Sequence, residues 1–195
     1  MRSRRLGVCC RALAGFAVVL ATLGGCGKSL PVLGGAAGGH QGLLRLGPGQ
    51  CKPGAPLAGV YLPFRLHLKN RCVTVRGTVN CVRREDDGDI HIRLRVDPAY
   101  RRLLIPANGF QQCPGHTGPH LVVEIIPQHG HLPFLTNSAT SGGFVTPAAP
   151  APGEHVAVTG AYVWDSNALH ELIYPGKNAK DWAEIHPAWN VTVTG

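Results

Sequence analysis

The chain has 195 residues, with 26 glycines, 16 prolines and only 6% aromatic residues, a composition that favours short strands and many turns over long helices. Its formal charge of +8 overstates its basic character, because four of the 19 Lys and Arg and none of the 11 Asp and Glu fall in the first 25 residues. The remainder holds 15 basic and 11 acidic groups, a field too mild for tight binding of a polyanion such as duplex DNA.

The first element is an export signal. Arg2, Arg4, Arg5 and Arg11 accompany an apolar run from Ala12 to Leu23, which closes in Leu23-Gly24-Gly25-Cys26. A basic start, an apolar stretch and small residues before a cut describe a secretory signal. The stretch is about twelve residues, well short of the roughly twenty that a spanning helix needs. Cysteine directly after two glycines, with Leu three positions before it, resembles the bacterial lipobox. That resemblance implies cleavage after residue 25, lipidation of Cys26 with palmitate-type chains, and a bacterial lipoprotein held at the outer face of the cell membrane. An ordinary cleaved signal with an incidental cysteine is the plainer alternative.

Residues 26–56 are rich in Gly, Leu and Ala without a sustained period and predict a flexible tether. Residues 57–195 are long enough for one domain with its own core. They read as short strands separated by turn chemistry. In Cys72–Val82, Val73, Val75 and Val79 share one parity and Thr74, Arg76 and Thr78 the other. In Asp89–Val96, Ile90, Ile92, Leu94 and Val96 alternate with His91, Arg93 and Arg95. This is the period-2 pattern of strands with one buried face. Glu85-Asp86-Asp87-Gly88 predicts the hairpin turn between them, and Gly77 predicts a bulge or sharp coil within the first strand.

Pro98–Leu104 predicts a helical turn, and Leu121–Ile126 a third strand that is apolar except for Glu124. A Gly/Pro-rich loop follows over His129–Pro152. Glu154–Trp164 predicts a fourth strand, Asn167–Lys180 a polar connection and Glu184–Val193 a fifth strand. Five strands, a long bent first strand and glycine kinks predict an all-β, five-stranded OB-like barrel with one short helix. A β-sandwich is the competing architecture.

Cysteine usage fits export. With Cys26 assigned to lipid, Cys51, Cys72, Cys81 and Cys113 remain, an even set for two disulfides in an oxidising compartment. Cys72 and Cys81 bracket one predicted strand, so they stand about 30 Å apart, while a disulfide needs Cα atoms within about 7 Å. Two pairings survive, and Cys51–Cys72 with Cys81–Cys113 is preferred because it closes the shorter loops. No Cys-x-x-Cys spacing supports a thiolate metal site.

Few motifs carry chemistry. His170-Glu171-Leu172-Ile173-Tyr174 lacks the second histidine of a zinc-protease helix, and no Gly-x-Ser-x-Gly occurs. His129-Gly130-His131 offers only two ligands in a loop. The polar residues on strands are more informative. Glu184 and His186 are two apart, so both side chains leave one face about 7 Å apart. His91 and Glu124 sit on two other strands, and Asp165 ends the fourth. Converging carboxylates and imidazoles can hold a divalent metal or act as acid and base, which makes His91, Glu124, Glu184 and His186 the catalytic or metal candidates. The plainer expectation is a structural network in which Glu124 pairs with Arg76, Arg93 or Arg95. Arg76, Arg93 and Arg95, with His91 and Asp165, form a candidate binding face. The aromatics that stack bases on such a face are missing, which argues against nucleic acid. Packing is the default role for Trp164, Trp182 and Trp189.

The segments Arg71-Cys72-Val73-Thr74-Val75-Arg76-Gly77-Thr78-Val79, Asp87-Gly88-Asp89-Ile90-His91-Ile92 and Leu121-Val122-Val123-Glu124-Ile125 carry a wider resemblance. It continues through Val156–Asp165 and Trp182-Ala183-Glu184-Ile185-His186-Pro187-Ala188-Trp189. Together they are similar to a family of bacterial secreted or lipid-anchored OB-like domains of unknown function, over residues 61–193. Members usually have Tyr where Ile90 stands and a compact His-Gly-Trp before Glu-Ile-His-Pro; here Glu171–Asp181 separates His170 from Trp182. The resemblance implies the barrel and points to His91, Glu124, Asp165, Glu184 and His186, without a reaction. The expectation is a monomeric, lipid-anchored envelope module that binds or assembles, with an envelope protein as partner and no cofactor. A metal-dependent, nuclease-like hydrolase with a divalent ion is the alternative, and a purely structural envelope lipoprotein is the third reading.

Overall fold

The structure is a computed structural model and describes residues 43–85, 87–111, 113–128, 142–166 and 181–195. The expectations for residues 1–25, Cys26, His129, His131 and His170 lie outside the described residues.

Five strands follow in chain order: β1 (Leu66–Arg84), β2 (Ile90–Val96), β3 (Leu121–Ile125), β4 (His155–Asp165) and β5 (Trp182–Val193). They close into a barrel in the order β1-β2-β3-β5-β4, and β4 pairs back onto β1. All pairs are antiparallel except β3 with β5. One closed ring, in place of two stacked sheets, makes this the OB-like barrel and excludes the sandwich. The helical turn expected after β2 is a short 3-10 helix, Pro98–Leu103.

The barrel interior is filled from alternate positions. Val75 and Val79 of β1, Ile92 and Leu94 of β2, Leu121, Val123 and Ile125 of β3, Val156 and Val158 of β4, and Ala183 and Ile185 of β5 are all fully buried in one cluster. Each large aliphatic side chain removed from water in this way contributes roughly 1.5–3 kcal/mol.

At 19 residues, β1 is longer than the alternation predicted. Its first half gains order from the ladder with β4, where Leu66 stands opposite Asp165, although most side chains over residues 67–71 are exposed. Gly77 is where β1 changes partner, facing Val156 of β4 and Val96 of β2. A Cβ there would lie 2.4 Å from the Arg95 carbonyl oxygen, so two ladders converge only over glycine. The register shifts fall to either side, between Val79 and Cys81 against β2 and between Leu68 and Val73 against β4.

A second, smaller core lies on the outside of the barrel. Trp189, Val163, Ala161, Ile126 and Leu66 are buried against Leu46, Val60 and Phe144. Leu44 bridges to Phe144 and is hydrogen-bonded to Gly143 and Val145. Packed structure therefore begins by Leu44, ahead of Leu57, because apolar residues in the Gly-rich segment have a complementary face to cover. Two disulfides brace the fold in the preferred pairing, Cys51–Cys72 with Cα atoms 5.7 Å apart and Cys81–Cys113 with 6.0 Å.

Candidate functional site

On β2, β3 and β5 the residues between the core positions face away from the barrel interior. These are His91, Glu124, Glu184 and His186, and the ladders bring them side by side. His91 stands opposite Glu124 in the β2–β3 pair, and in the parallel β3–β5 pair Val122 faces Glu184 and Val123 faces Ile185. His186 thus comes level with Glu124. Closure of the barrel between its third and fifth strands makes the cluster.

The four side chains meet. His91 Nε2 lies 2.8 Å from Glu124 Oε1. His186 Nδ1 lies 2.8 Å from Glu124 Oε2 and 3.1 Å from Glu184 Oε1. Only the contact to Glu184 has hydrogen-bond direction, so Glu124 Oε2 is left with charge contacts alone. The Trp182 indole N–H donates to Glu184 Oε2 at 2.9 Å, fixing that carboxylate from its other side. Glu184 and His186 are 0% exposed and Glu124 is 1% exposed.

Three residues that sequence reasoning did not place in the cluster complete it. Asp89, buried at the end of the hairpin turn, brings Oδ2 to 3.8 Å from His186 Nε2. Glu85 approaches His91 Nδ1 at 3.2 Å. Arg65, at the end of the short 3-10 helix Pro63–Arg65, pairs closely with Asp165 Oδ2 and lies 4.0 Å from Glu124 Oε2. The turn explains Asp89: Gly88 takes a positive φ of 93°, Gly88 N–H donates to the Glu85 carbonyl, and Asp89 N–H donates to Asp87 Oδ1. The Asp-Gly signal located this turn; burial of the aspartate beside it had no signal in the local pattern. Arg65 had none either.

The binding candidates divide. Asp165 joins the cluster through Arg65. Arg93 is half-buried beside it, and burial lowers its pKa against the pull of Glu124. Arg76 and Arg95 are exposed. The partners of Glu124 are therefore two imidazoles and Arg65, with no ion pair to Arg76, Arg93 or Arg95 among the described residues. Trp189 packs in the outer core, while Trp164 has the Lys69 ammonium 3.9 Å over its ring.

Electrostatics follow from crowding charges in a dry place. Burial raises Asp89 to about 7, and nearby Glu124 adds to that while His186 opposes it. Burial and Glu124 also raise Glu184. Burial works against charge on Glu124 as well, but His186 and His91 outweigh it and hold the carboxyl well below its ordinary range. For His186, burial is overcome by Glu124 and Glu184, and its pKa is pushed up to about 10. His91 is raised by Glu124 against burial. Carboxyls pushed in opposite directions beside two imidazoles have the makings of acid–base or metal chemistry.

A second buried polar node holds β5 in place. Asn108 Nδ2 donates to the carbonyls of His120 and Ala183, and its Oδ1 accepts from the N–H groups of Ile105 and Ala183. Ala183 is the residue before Glu184, so this clamp sets the position from which the cluster is built. No family model, curated protein or solved structure matches the chain.

Proposed function

We propose that the chain is a lipid-anchored module of the bacterial envelope, tethered through Cys26, that binds an envelope protein as a monomer and turns over no substrate. The observation that carries this reading is the burial of most of the cluster: Glu184 and His186 at 0% exposure and Glu124 at 1% are kept from a substrate, with His91 half-buried at the edge. Recognition then falls to the outside of the barrel. There Phe64 is 71% and Leu68 is 38% exposed, on the same stretch of chain as the exposed basic residues Lys69 and Arg71. Exposed apolar residues next to cationic ones have the mixed character of a protein-binding surface.

The test uses the full chain in a bacterial host supplied with a clickable palmitate analogue. Label and membrane association are expected in the wild type, with both lost in Cys26→Ala. An unlabelled, freely soluble wild type sinks the anchored reading. A photocrosslinking residue at position 64 should give one discrete adduct with an envelope protein, absent when the same residue replaces Pro152.

One observation favours the hydrolase as a second reading: four side-chain atoms of the cluster, Asp89 Oδ2, His91 Nδ1, Glu124 Oε2 and His186 Nε2, are buried without a hydrogen-bond partner. Hydrolysis of an activated phosphodiester, stimulated by a divalent ion and lost in His186→Ala, would favour it over the binding module.

A further inference from the structure

We propose that Asp89, Glu124 and His186 form a binding site for a divalent transition ion of the zinc class, with Glu184 and His91 orienting the ligands from behind. The proposal is independent of the anchored-module reading, since it concerns what the cluster holds and not what the barrel surface meets.

The primary observation is which atoms lack partners. Asp89 Oδ2, Glu124 Oε2 and His186 Nε2 are buried and make no hydrogen bond, one from each residue. Each of the three residues offers a ligand atom within 4.8 Å of the others. Buried polar atoms are nearly always satisfied; His91 Nδ1 and Arg93 Nη1 nearby also lack a hydrogen bond, and the three orphans on Asp89, Glu124 and His186 mark a place where something else supplies the interaction.

Spacing says what that is. The 3.8 Å between His186 Nε2 and Asp89 Oδ2 is too long for a hydrogen bond. Two ligands of one zinc ion, each bonded at about 2.0–2.2 Å, stand about 3.4–3.8 Å apart at ordinary coordination angles.

The other atoms of the same side chains are already held in the manner of ligand-orienting contacts. His186 Nδ1–H donates to Glu184 Oε1, which fixes the ring and turns Nε2 toward Asp89. Trp182 in turn holds Glu184. His91 Nε2 occupies Glu124 Oε1, while Oε2 lies 2.8 Å from His186 Nδ1 without hydrogen-bond direction, so that oxygen swings away from Nδ1 to reach an ion on Nε2. A carboxylate behind a ligating imidazole is the usual support of a metal-bound histidine.

Charge gives an independent argument. Asp89, Glu124, Asp165 and Glu184 are four buried carboxylates, and the guanidinium groups nearest them are Arg65 and Arg93. With the imidazoles neutral, as ligation by His186 requires, four carboxylates against two guanidinium groups leave two negative charges, which one divalent cation balances in place of the protonated imidazoles of the metal-free cluster. Buried charge without compensation is strongly disfavoured. An imidazole with two carboxylates suits zinc and its first-row neighbours better than magnesium, which prefers oxygen and water.

The experiment uses the oxidised full chain, stripped with chelator and with the thiols of Cys9, Cys10 and Cys26 alkylated. Zn²⁺ is titrated calorimetrically, and Co²⁺ is added as a spectroscopic probe of nitrogen and oxygen ligation. The expected result is about one ion per chain, and a low-coordinate Co²⁺ spectrum without thiolate bands. Asp89→Asn should lose that ion while folding normally in chelator, judged by circular dichroism. Glu184→Gln should keep the stoichiometry with affinity weaker by about 10–100-fold. Asp97→Asn, whose carboxylate pairs with His155 elsewhere on the barrel, should bind as the wild type does. His186→Gln removes a core side chain and is read only if it folds, which is why Asp89→Asn decides. Absence of a stoichiometric ion, or unchanged binding in Asp89→Asn, overturns the proposal and leaves protonated imidazoles as the neutralising charges.

Discussion

His91 and Glu124 stand opposite one another on adjacent strands, and their side chains meet at 2.8 Å on the outer face of the barrel. Glu124 takes His186 on its second oxygen at 2.8 Å, so one carboxylate serves two imidazoles inside a dry cluster. Removing its charge leaves both imidazoles beside fewer counter-charges. Glu124→Gln is expected to destabilise the metal-free protein by about 3–5 kcal/mol and to lower the pKa of His186. Urea unfolding and an NMR titration of the histidine ring protons check the two parts. An unchanged His186 titration would show that Glu184 alone sets it.

In the metal-free protein the titrations carry opposite signs. Asp89 rises on folding from 3.8 to about 7, so its ionisation weakens the fold progressively between those values and at full strength above 7. His186 rises to about 10, so its contribution is whole below its ordinary 6.5 and disappears as pH climbs through 10. Glu124 is lowered, so its contribution holds above its ordinary 4.5 and is lost in acid. With chelator present, Asp89→Asn should therefore be more stable than the wild type at pH 8 by about 2 kcal/mol, and no more stable at pH 4. Denaturant unfolding at the two values measures it. Equal stability at both would mean Asp89 keeps an ordinary pKa.

Asn108 satisfies four backbone groups across three segments of chain. Asn108→Ala strands those groups where water has little access. A loss of about 3 kcal/mol or more is expected, which for a domain of this size is a fall of roughly 6–12 °C in melting temperature. A shift under about 2 °C would show that water replaces the amide.

Gly160 sits where the β4–β5 register shifts, and a Cβ there would lie 2.4 Å from both Ile185 Cγ2 and the Pro187 carbonyl oxygen. Those residues flank His186. Gly160→Ala should cost about 1–3 kcal/mol and also displace His186, weakening along with stability any binding of zinc at the proposed site. Stability loss with unaltered zinc affinity would show that β5 moves as a rigid unit.

The disulfides close loops of 21 and 32 residues, and each is expected to contribute about 3–4 kcal/mol on loop-closure arguments. Cys81→Ser with Cys113→Ser should match the effect of the other pair within about 1 kcal/mol. Thermal melts of the two double variants provide the comparison.

The strands were legible because Val73–Val79 and Ile90–Val96 alternate in step with burial, and because Leu121–Ile125, buried throughout, is an apolar run broken only by Glu124. The cysteine pairing was legible because two cysteines at the ends of one strand cannot meet. Glu184 and His186 were legible as neighbours on one face. Their meeting with Glu124 and His91 was not, because it depends on the parallel contact of β3 with β5, a long-range closure that no local pattern encodes. Asp89 looked like turn chemistry until folding buried its second oxygen. Arg65 lay ahead of the first predicted strand, whose start is set by pairing with β4 and not by alternation. Arg76 and Arg95 lie on the polar parity of their strands, and both are exposed as that alternation predicts.

The Cys51–Cys72 bridge also fixes the mechanics of the molecule. Tension from the N-terminal end that overcomes the contacts of Leu44 and Leu46 passes through two sulfur atoms into β1 at Cys72. The chain between them, including Phe64 and Arg65, forms a slack loop parallel to that covalent path and carries almost none of the load. Arg65 can therefore keep its grip on Asp165 while the N-terminal end is pulled, and the cluster on the outer face is insulated from that strain.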